Sequence, residues 1–321
     1  MKRVEAIEVV NRTGKYTFPD KTERYATERT KFVQDEPVVE IVETQDWAKV
    51  KFTLDGEILR QILNAAKTIV SEFQLKFGPK GMETTFVDPA HVAMGRVVVP
   101  RETFVEYDLG TRYLAVSVDV KRLRELLKKG KGLVSLEIRK LSSKPHTDNM
   151  SGAERKTVYI SYEYSSEELY IIFNSVEMMI KTLDNNTIIV PRIPQISIDN
   201  YVIVSGAEVR AFLDRAAEVS ESCRFSLNDY GLTMKSVSDD AEVKVVLERD
   251  RLKELVLPDH RQIASSYPLE YLAKFFATMR SVDVKVSFKD DYPMSMEFPM
   301  NVGNPYLNIN IVCLLAPRME Q

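Results

Sequence analysis

The sequence predicts an α+β protein built from two similar halves, and three observations carry that expectation. A segment of the chain recurs 150 residues further along in gapless register. Each copy reads as strand, helix and hairpin, and in each half a second helix follows with alternating strands behind it. Recurrence at a fixed spacing marks a duplicated structural unit, so it sets the architecture before any single motif does.

The repeat runs from Gly56–Val87 onto Gly206–Val237. Gly56 meets Gly206, Arg60 meets Arg210, Leu63 meets Leu213, Ala66 meets Ala216, Gly81 meets Gly231 and Val87 meets Val237. Between these identities the apolar class is kept: Leu59 with Val209, Ile62 with Phe212, Ile69 with Val219, Leu75 with Phe225.

Taken in chain order, residues 1–45 are rich in charge and threonine, show weak strand patterns and have no counterpart in the repeat. They read as an N-terminal extension, disordered or loosely docked, of unknown role. Val50–Leu54 alternates as a strand, and Gly56 breaks it. Ile58, Leu59, Ile62, Leu63, Ala66, Ile69 and Val70 then follow at helical spacing. Phe73, Leu75 and Phe77 alternate again before the turn Gly78-Pro79-Lys80-Gly81. In the second copy Phe225, Leu227, Asn228-Asp229-Tyr230-Gly231 and Leu232 repeat that hairpin. The second helices carry Leu123, Leu126 and Leu127 in one half and Leu272, Phe275, Phe276 and Met279 in the other. Alternating strands succeed both, Val134-Leu136-Ile138 and Val284-Val286-Phe288. Residues 142–156 read as a long exposed hairpin loop, and 183–197 as an apolar, proline-bearing strap between the halves. The expected domains are therefore 46–182 and 198–321.

Bulk properties fit an ordinary globular chain. Its 321 residues are 44% hydrophobic and 28% charged, with a net charge of −3, which argues against an overall basic nucleic-acid binder but leaves room for one basic surface. No run of 18 apolar residues predicts a membrane span, and the N-terminus lacks an apolar signal region. Cys223 and Cys313, the only cysteines, sit in apolar contexts and are expected as buried free thiols in a reducing, intracellular compartment. The Asn-x-Thr triplets at Asn11 and Asn185 then read as chance matches.

Reactive groups at workable spacing are missing from the sequence. His91, His146 and His260 lie far apart, no Cys-x-x-Cys occurs, and Gly130-Lys131-Gly132 lacks the surroundings of a phosphate loop. Asp239-Asp240 and Asp290-Asp291 read as solvated turns. The chain is expected to have no catalytic residues, no metal and no cofactor.

Basic residues instead recur on helix faces. Arg60, Asn64 and Lys67 share the face opposite the apolar stripe of the first helix. The second helix carries Lys121, Arg122, Arg124, Lys128 and Lys129. Corresponding helices of the second half carry Arg210 and Lys274, but beside Asp214 and Glu270. A solvated face is the plain reading for any one helix; the recurrence in a net-acidic chain favours loose phosphate contact, which supplies affinity without reading sequence.

Several segments together resemble the archaeal and eukaryotic DNA sliding clamps called proliferating cell nuclear antigen. They are Gly56-Glu57-Ile58-Leu59-Arg60 through Lys67, Phe86-Val87-Asp88-Pro89-Ala90-His91-Val92, and the strap end Ile193-Pro194. Tyr267-Pro268-Leu269-Glu270-Tyr271-Leu272, Tyr292-Pro293-Met294 and the terminal Leu314-Leu315-Ala316-Pro317-Arg318 complete the match, which spans about residues 47–321. The resemblance implies a non-enzymatic processivity factor, a homotrimeric ring with helices lining the hole and sheets outside. It implies that Arg60, Lys67, Arg124, Lys128, Arg210 and Lys274 face duplex DNA. A partner pocket beneath the strap would use Val87, His91, Met94, Ile193, Pro293, Leu314, Ala316 and Pro317. Subunits would join through strands around Met178, Ile180, Val243, Val245 and Leu247. Implied partners are DNA polymerase, a clamp-loader ATPase and proteins carrying clamp-interaction peptides, with no membrane. The compartment is cytoplasmic if the source is archaeal or an archaeal virus, and nuclear if eukaryotic. Other readings are a divergent or checkpoint-type clamp subunit needing non-identical partners, and an enzyme or small-molecule binder using the apolar strap cleft.

Overall fold

The computed structural model describes residues 8–17, 19, 21, 23–33, 36–43, 49–109, 113–128, 132–151, 156–173, 176–186, 188, 197–279, 281–300 and 309–318. In chain order the first half holds β1 (Glu8–Thr17), β2 (Glu23–Val33), β3 (Glu36–Glu43), β4 (Lys49–Asp55) and α1 (Gly56–Ala66). Next come β5 (Glu72–Gly78), β6 (Gly81–Val87), β7 (Ala93–Pro100), β8 (Glu106–Asp108), β9 (Leu114–Asp119) and α2 (Val120–Leu127). The long strands β10 (Leu133–Ser151) and β11 (Lys156–Phe173) and the short β12 (Val176–Lys181) end it. The second half holds β13 (Tyr201–Ser205), α3 (Gly206–Ala216), β14 (Ser222–Asn228), β15 (Gly231–Val237), β16 (Glu242–Glu248) and β17 (Glu254–Val256). It finishes with β18 (Ile263–Pro268), α4 (Leu269–Thr278), β19 (Asp283–Ser287), β20 (Met294–Pro299) and β21 (Asn310–Leu315).

By contacts the chain divides into two compact units, residues 1–51 with 136–182, and 52–135 with 183–321. The first unit corrects two expectations at once. Residues 8–17, 23–33 and 36–43 form three strands, β1 antiparallel to β2 and β2 antiparallel to β3, rather than a disordered or loosely docked arm. The stretch expected as an exposed loop around 142–156 is mostly strand, and its β11 arm pairs in parallel with β3, Lys156 opposite Val38 through Ile160 opposite Val42. The extension and the hairpin thus complete one another. Strands β1–β3 bury Ala26 and Ile41 with Tyr16 and Val39 packed against them, and the backbone pairing of β3 with β11 joins them to the hairpin.

The second unit carries all four helices over a nine-stranded sheet, β17-β13-β19-β20-β21-β7-β6-β5-β9, and a four-stranded sheet, β16-β15-β14-β18. Sequence dictates the helices locally. On α1 the residues Ile58, Leu59, Ile62 and Leu63 are buried on one face, each contributing about 1.5–3 kcal/mol relative to exposure. The Asp55 carboxylate accepts from Glu57 N–H at 2.8 Å and Asp119 accepts from Arg122 N–H at 2.6 Å, capping α1 and α2 for about 1 kcal/mol each. The α1 helix stops at Ala66, short of Ile69 and Val70, where Thr68 Oγ1 bonds back to the Ala65 carbonyl at 2.6 Å and a β-branched run begins.

The duplication is visible in hydrogen bonds that sequence could not supply. Gly56 N–H donates to the Gly132 carbonyl and Gly206 N–H to the Val282 carbonyl, at 2.9 and 3.0 Å. Val120 N–H donates to Ser71 and Leu269 N–H to Glu221, at 2.8 and 2.9 Å. Both turn glycines lie in the left-handed region, Gly81 at φ 125° and Gly231 at φ 152°. A Cβ on Gly206 would fall 1.9 Å from the Met279 carbonyl oxygen, which explains the glycine at that strand-to-helix junction.

Cys223 and Cys313 are buried free thiols, as expected, and burial pushes both well above the ordinary thiol range. Among the described residues no helix is long and apolar enough to cross a membrane, and no three His, Cys, Asp or Glu side chains gather as a metal set.

Candidate nucleic-acid interface and partner pocket

The helices pack in pairs, α1 with α2 and α3 with α4, and α1 also meets α4. They therefore form one row, α2-α1-α4-α3, joining the two copies of the repeat. The candidate cations sit along this row in different states. Lys67 and Lys128 are the C-cap residues of α1 and α2, both exposed, with no ion pair to another described residue. Arg124 donates from Nε to Asn64 Oδ1 at 2.9 Å, bridging α2 to α1.

Arg60 and Arg210, the repeat-related pair, are more committed. Arg60 holds Glu57 at 2.8 Å and donates to the Leu127 carbonyl at 3.4 Å, with a fifth of its side chain exposed. Arg210 pairs with Asp214 and donates to the Ala273 carbonyl. Each ties its helix to the next, so both work as struts between helices. Lys274 pairs with Glu270 one turn back and lies 5.3 Å from the Tyr271 ring centre. In the second half each candidate cation is thus neutralised on its own helix, while the first half keeps Lys67 and Lys128.

The expected pocket residues converge where the halves join. Antiparallel pairing of β21 with β7 makes the nine-stranded sheet continuous across them. Val87 stands opposite Met94, Met94 opposite Leu314 and Leu314 opposite Ser295, a half-buried row across four strands. Directly opposed residues share a sheet face. Ala316 N–H donates to the Val92 carbonyl at 2.8 Å and brings the half-buried Ala316 and Pro317 beside the loop carrying exposed His91. Pro293 is half-buried at the start of β20. Ile193, with most of the strap, lies outside the described residues.

The strap's first residues are anchored. Asn185 donates to the Ala115 carbonyl at 2.8 Å and accepts from Ser117 Oγ at 2.7 Å, and Gln74 donates to Ser117 Oγ at 3.2 Å. Sequence reasoning missed this network because Gln74, Ser117 and Asn185 share no spacing. It also missed Asp88 and Tyr271, which meet across 183 residues at 2.7 Å.

Of the expected joint residues, Met178 is half-buried and Ile180 buried on β12, which pairs with β11. Val243 and Val245 are half-buried and Leu247 buried on β16, which pairs with β15 at the edge of the four-stranded sheet.

A sequence profile for "Proliferating cell nuclear antigen, N-terminal domain" matches residues 49–186. A protein of Thermoplasma volcanium named "DNA polymerase sliding clamp" is 35% identical over 274 residues, covering 85% of this chain and all of that one. The chain belongs to the proliferating cell nuclear antigen family of DNA sliding clamps. It is a processivity factor for DNA synthesis and not an enzyme. The sliding clamp of Thermoplasma acidophilum is 33% identical over 273 residues, with the same coverage of both chains. Among solved structures, "C-terminal region of FEN-1 bound to A. fulgidus PCNA" superposes with a TM-score of 0.66 at 23% identity, covering 85% of this chain and 99% of that one. That likeness gives the fold. Clamps of this family bind DNA and partner proteins, and the helix row and the Val87–Met94–Leu314 face are this chain's candidates for the two tasks.

Proposed function

We propose that this chain closes head to tail with two further copies of itself into a homotrimeric ring around duplex DNA. The observation that carries the reading is a pair of unfilled sheet edges. Within the chain, β21 pairs with β7. The repeat counterpart of β7 is β16, since Met234 stands opposite Val245 as Thr84 stands opposite Val97. The counterpart of β21 is β12: Leu183 N–H donates to Ser117 and Arg318 N–H to Ser266, so Ile180 takes the place of Leu315. Among the described strands β12 pairs only with β11 and β16 only with β15. A copy's β12 laid on the next copy's β16 would repeat the internal joint and remove both open edges.

The register carries over too. Val312 opposite Arg96 becomes Glu177 opposite Lys244, and Ile311 opposite Val97 becomes Val176 opposite Val245. Opposite charges and apolar surfaces meet, Val176 being 57% exposed in the single chain. Because one chain bears both edges, identical copies suffice.

In this reading the domains are 46–182 and 198–321, and the helix row faces the DNA hole. Lys67, Arg124 and Lys128 supply most of the phosphate contact; Arg60, Arg210 and Lys274 supply less because each already pairs with a carboxylate on its own helix. The Val87–Met94–Leu314 face, with His91, Pro293, Ala316, Pro317 and Ile193 of the strap, takes the apolar and aromatic plug of clamp-interaction peptides. A FEN-1 C-terminal region is bound to the A. fulgidus clamp, which supports protein partners of that kind, and DNA polymerase and a clamp-loader ATPase are the further partners. Relatives from archaea support a cytoplasmic setting.

The test is topological. Loaded onto nicked circular DNA, the protein is expected to stay bound through a high-salt wash and to leave when the circle is cut. Loss at the same rate from intact and cut DNA would exclude encirclement.

A further inference from the structure

Asp88 is 3% exposed, ionisable, and absent from any contact that sequence spacing suggested. It sits in the loop between β6 and β7, and both of its oxygens are occupied. Oδ1 accepts from Ala93 N–H at 2.6 Å, and Oδ2 accepts from Ala90 N–H at 3.1 Å and from the Tyr271 hydroxyl at 2.7 Å. Two backbone bonds close the same loop, Asp88 N–H to the Ala93 carbonyl and His91 N–H to the Asp88 carbonyl, at 3.0 and 2.9 Å. Within it His91 is held at φ 58°, a left-handed conformation uncommon outside glycine. A buried carboxylate needs its hydrogen bonds filled, and here one donor comes from α4 of the other half.

We infer that Asp88 and Tyr271 form a latch between the two halves that positions the His91 loop for partner binding. The inference rests on the proposed pocket and adds two residues that no plug needs to touch. Val87 and His91 flank the latched segment on one side of the pocket, while Tyr271 anchors it from α4. Its hydroxyl is held protonated, its pKa pushed up to about 12, chiefly by the hydrogen bond to Asp88. The carboxylate organises the loop amides, and the tyrosine fixes the carboxylate. Pre-set loops raise affinity by lowering the ordering cost on binding, which shows mainly in the dissociation rate.

The experiment uses the full-length protein and the FEN-1 C-terminal peptide as probe, with Tyr271→Phe and Pro317→Asp as variants. Tyr271→Phe keeps the ring and the packing and removes only the donor. Its peptide affinity should fall about tenfold through faster dissociation, as expected for one charge-assisted hydrogen bond. Hydrogen exchange at Ala90 and Ala93 should quicken while the β14 amides and the subunit mass stay as in the parent, a local signature that general destabilisation would not give. Pro317→Asp, which alters the pocket directly, should abolish binding. Unchanged affinity in Tyr271→Phe beside lost affinity in Pro317→Asp would overturn the latch alone. Unchanged affinity in both would overturn the pocket reading, and the latch with it.

Discussion

The register of the joint can be tested through one charge. Lys244 is exposed on β16 and stands opposite Lys235 within its own chain. In the proposed ring it also stands opposite Glu177 of the next copy, a carboxylate that Arg139 of its own chain holds at 3.0 Å. Lys244→Glu therefore acts in opposite directions at the two places. Inside the subunit it replaces a like-charged cross-strand pair by an attractive one, so thermal stability should hold or rise slightly. Across each joint it replaces attraction by repulsion. Cross-strand charge pairs are worth roughly 0.2–1 kcal/mol, so reversing one shifts a joint by about 1 kcal/mol. Three joints then lose about 3 kcal/mol, about a hundredfold in the assembly equilibrium. Sedimentation or native mass spectrometry across a dilution series would read this as a higher concentration for half-assembly. Adding Glu177→Gln removes the repulsion and should restore most of the assembly. High salt should narrow the gap, because exposed pairs are screened. An assembly curve that matches the parent at low salt, with no response to Glu177→Gln, would refute the register.

Lys67→Glu with Lys128→Glu should shorten retention on circular DNA and lower the salt dependence of binding by about one phosphate contact per lysine lost. Lys274→Glu should do less, since Glu270 already neutralises that lysine. Alkaline stability should fall between about pH 10 and 12. Burial pushes the Tyr107 pKa up to about 12, and its hydroxyl lies 2.7 Å from both the Gly78 and Gly81 carbonyls, between which its one proton is shared. A folded-state pKa raised above the unfolded value near 10 gives stability that is full below pH 10 and lost as pH rises through 12. Urea midpoints against pH should show a shallower alkaline decline in Tyr107→Phe.

Much of this architecture was legible in the chain. The apolar period of Ile58, Leu59, Ile62 and Leu63, its repetition at Val209, Phe212 and Leu213, and the turn glycines Gly81 and Gly231 are local signals, and local signals survive in one dimension. The weak points lay where an element depends on a distant partner. Strands β1–β3 alternate charge and threonine and read as loose until β3 pairs with β11. The basic faces were visible as residue types, but not which cations were committed. Arg60 and Arg210 spend their guanidinium groups on the carbonyls of Leu127 and Ala273. Asp88 and Tyr271 stand in segments that carry the family resemblance, but nothing in either neighbourhood announces the other.

The central claim is that identical copies of this chain close into a ring of three, and the mass of the purified protein in solution tests it most directly. Three 36.8 kDa subunits, persisting on dilution and dissociating at higher concentration in Lys244→Glu than in the parent, is the predicted result. A monomer at concentrations where the parent should assemble, with β12 and β16 both open, would contradict it.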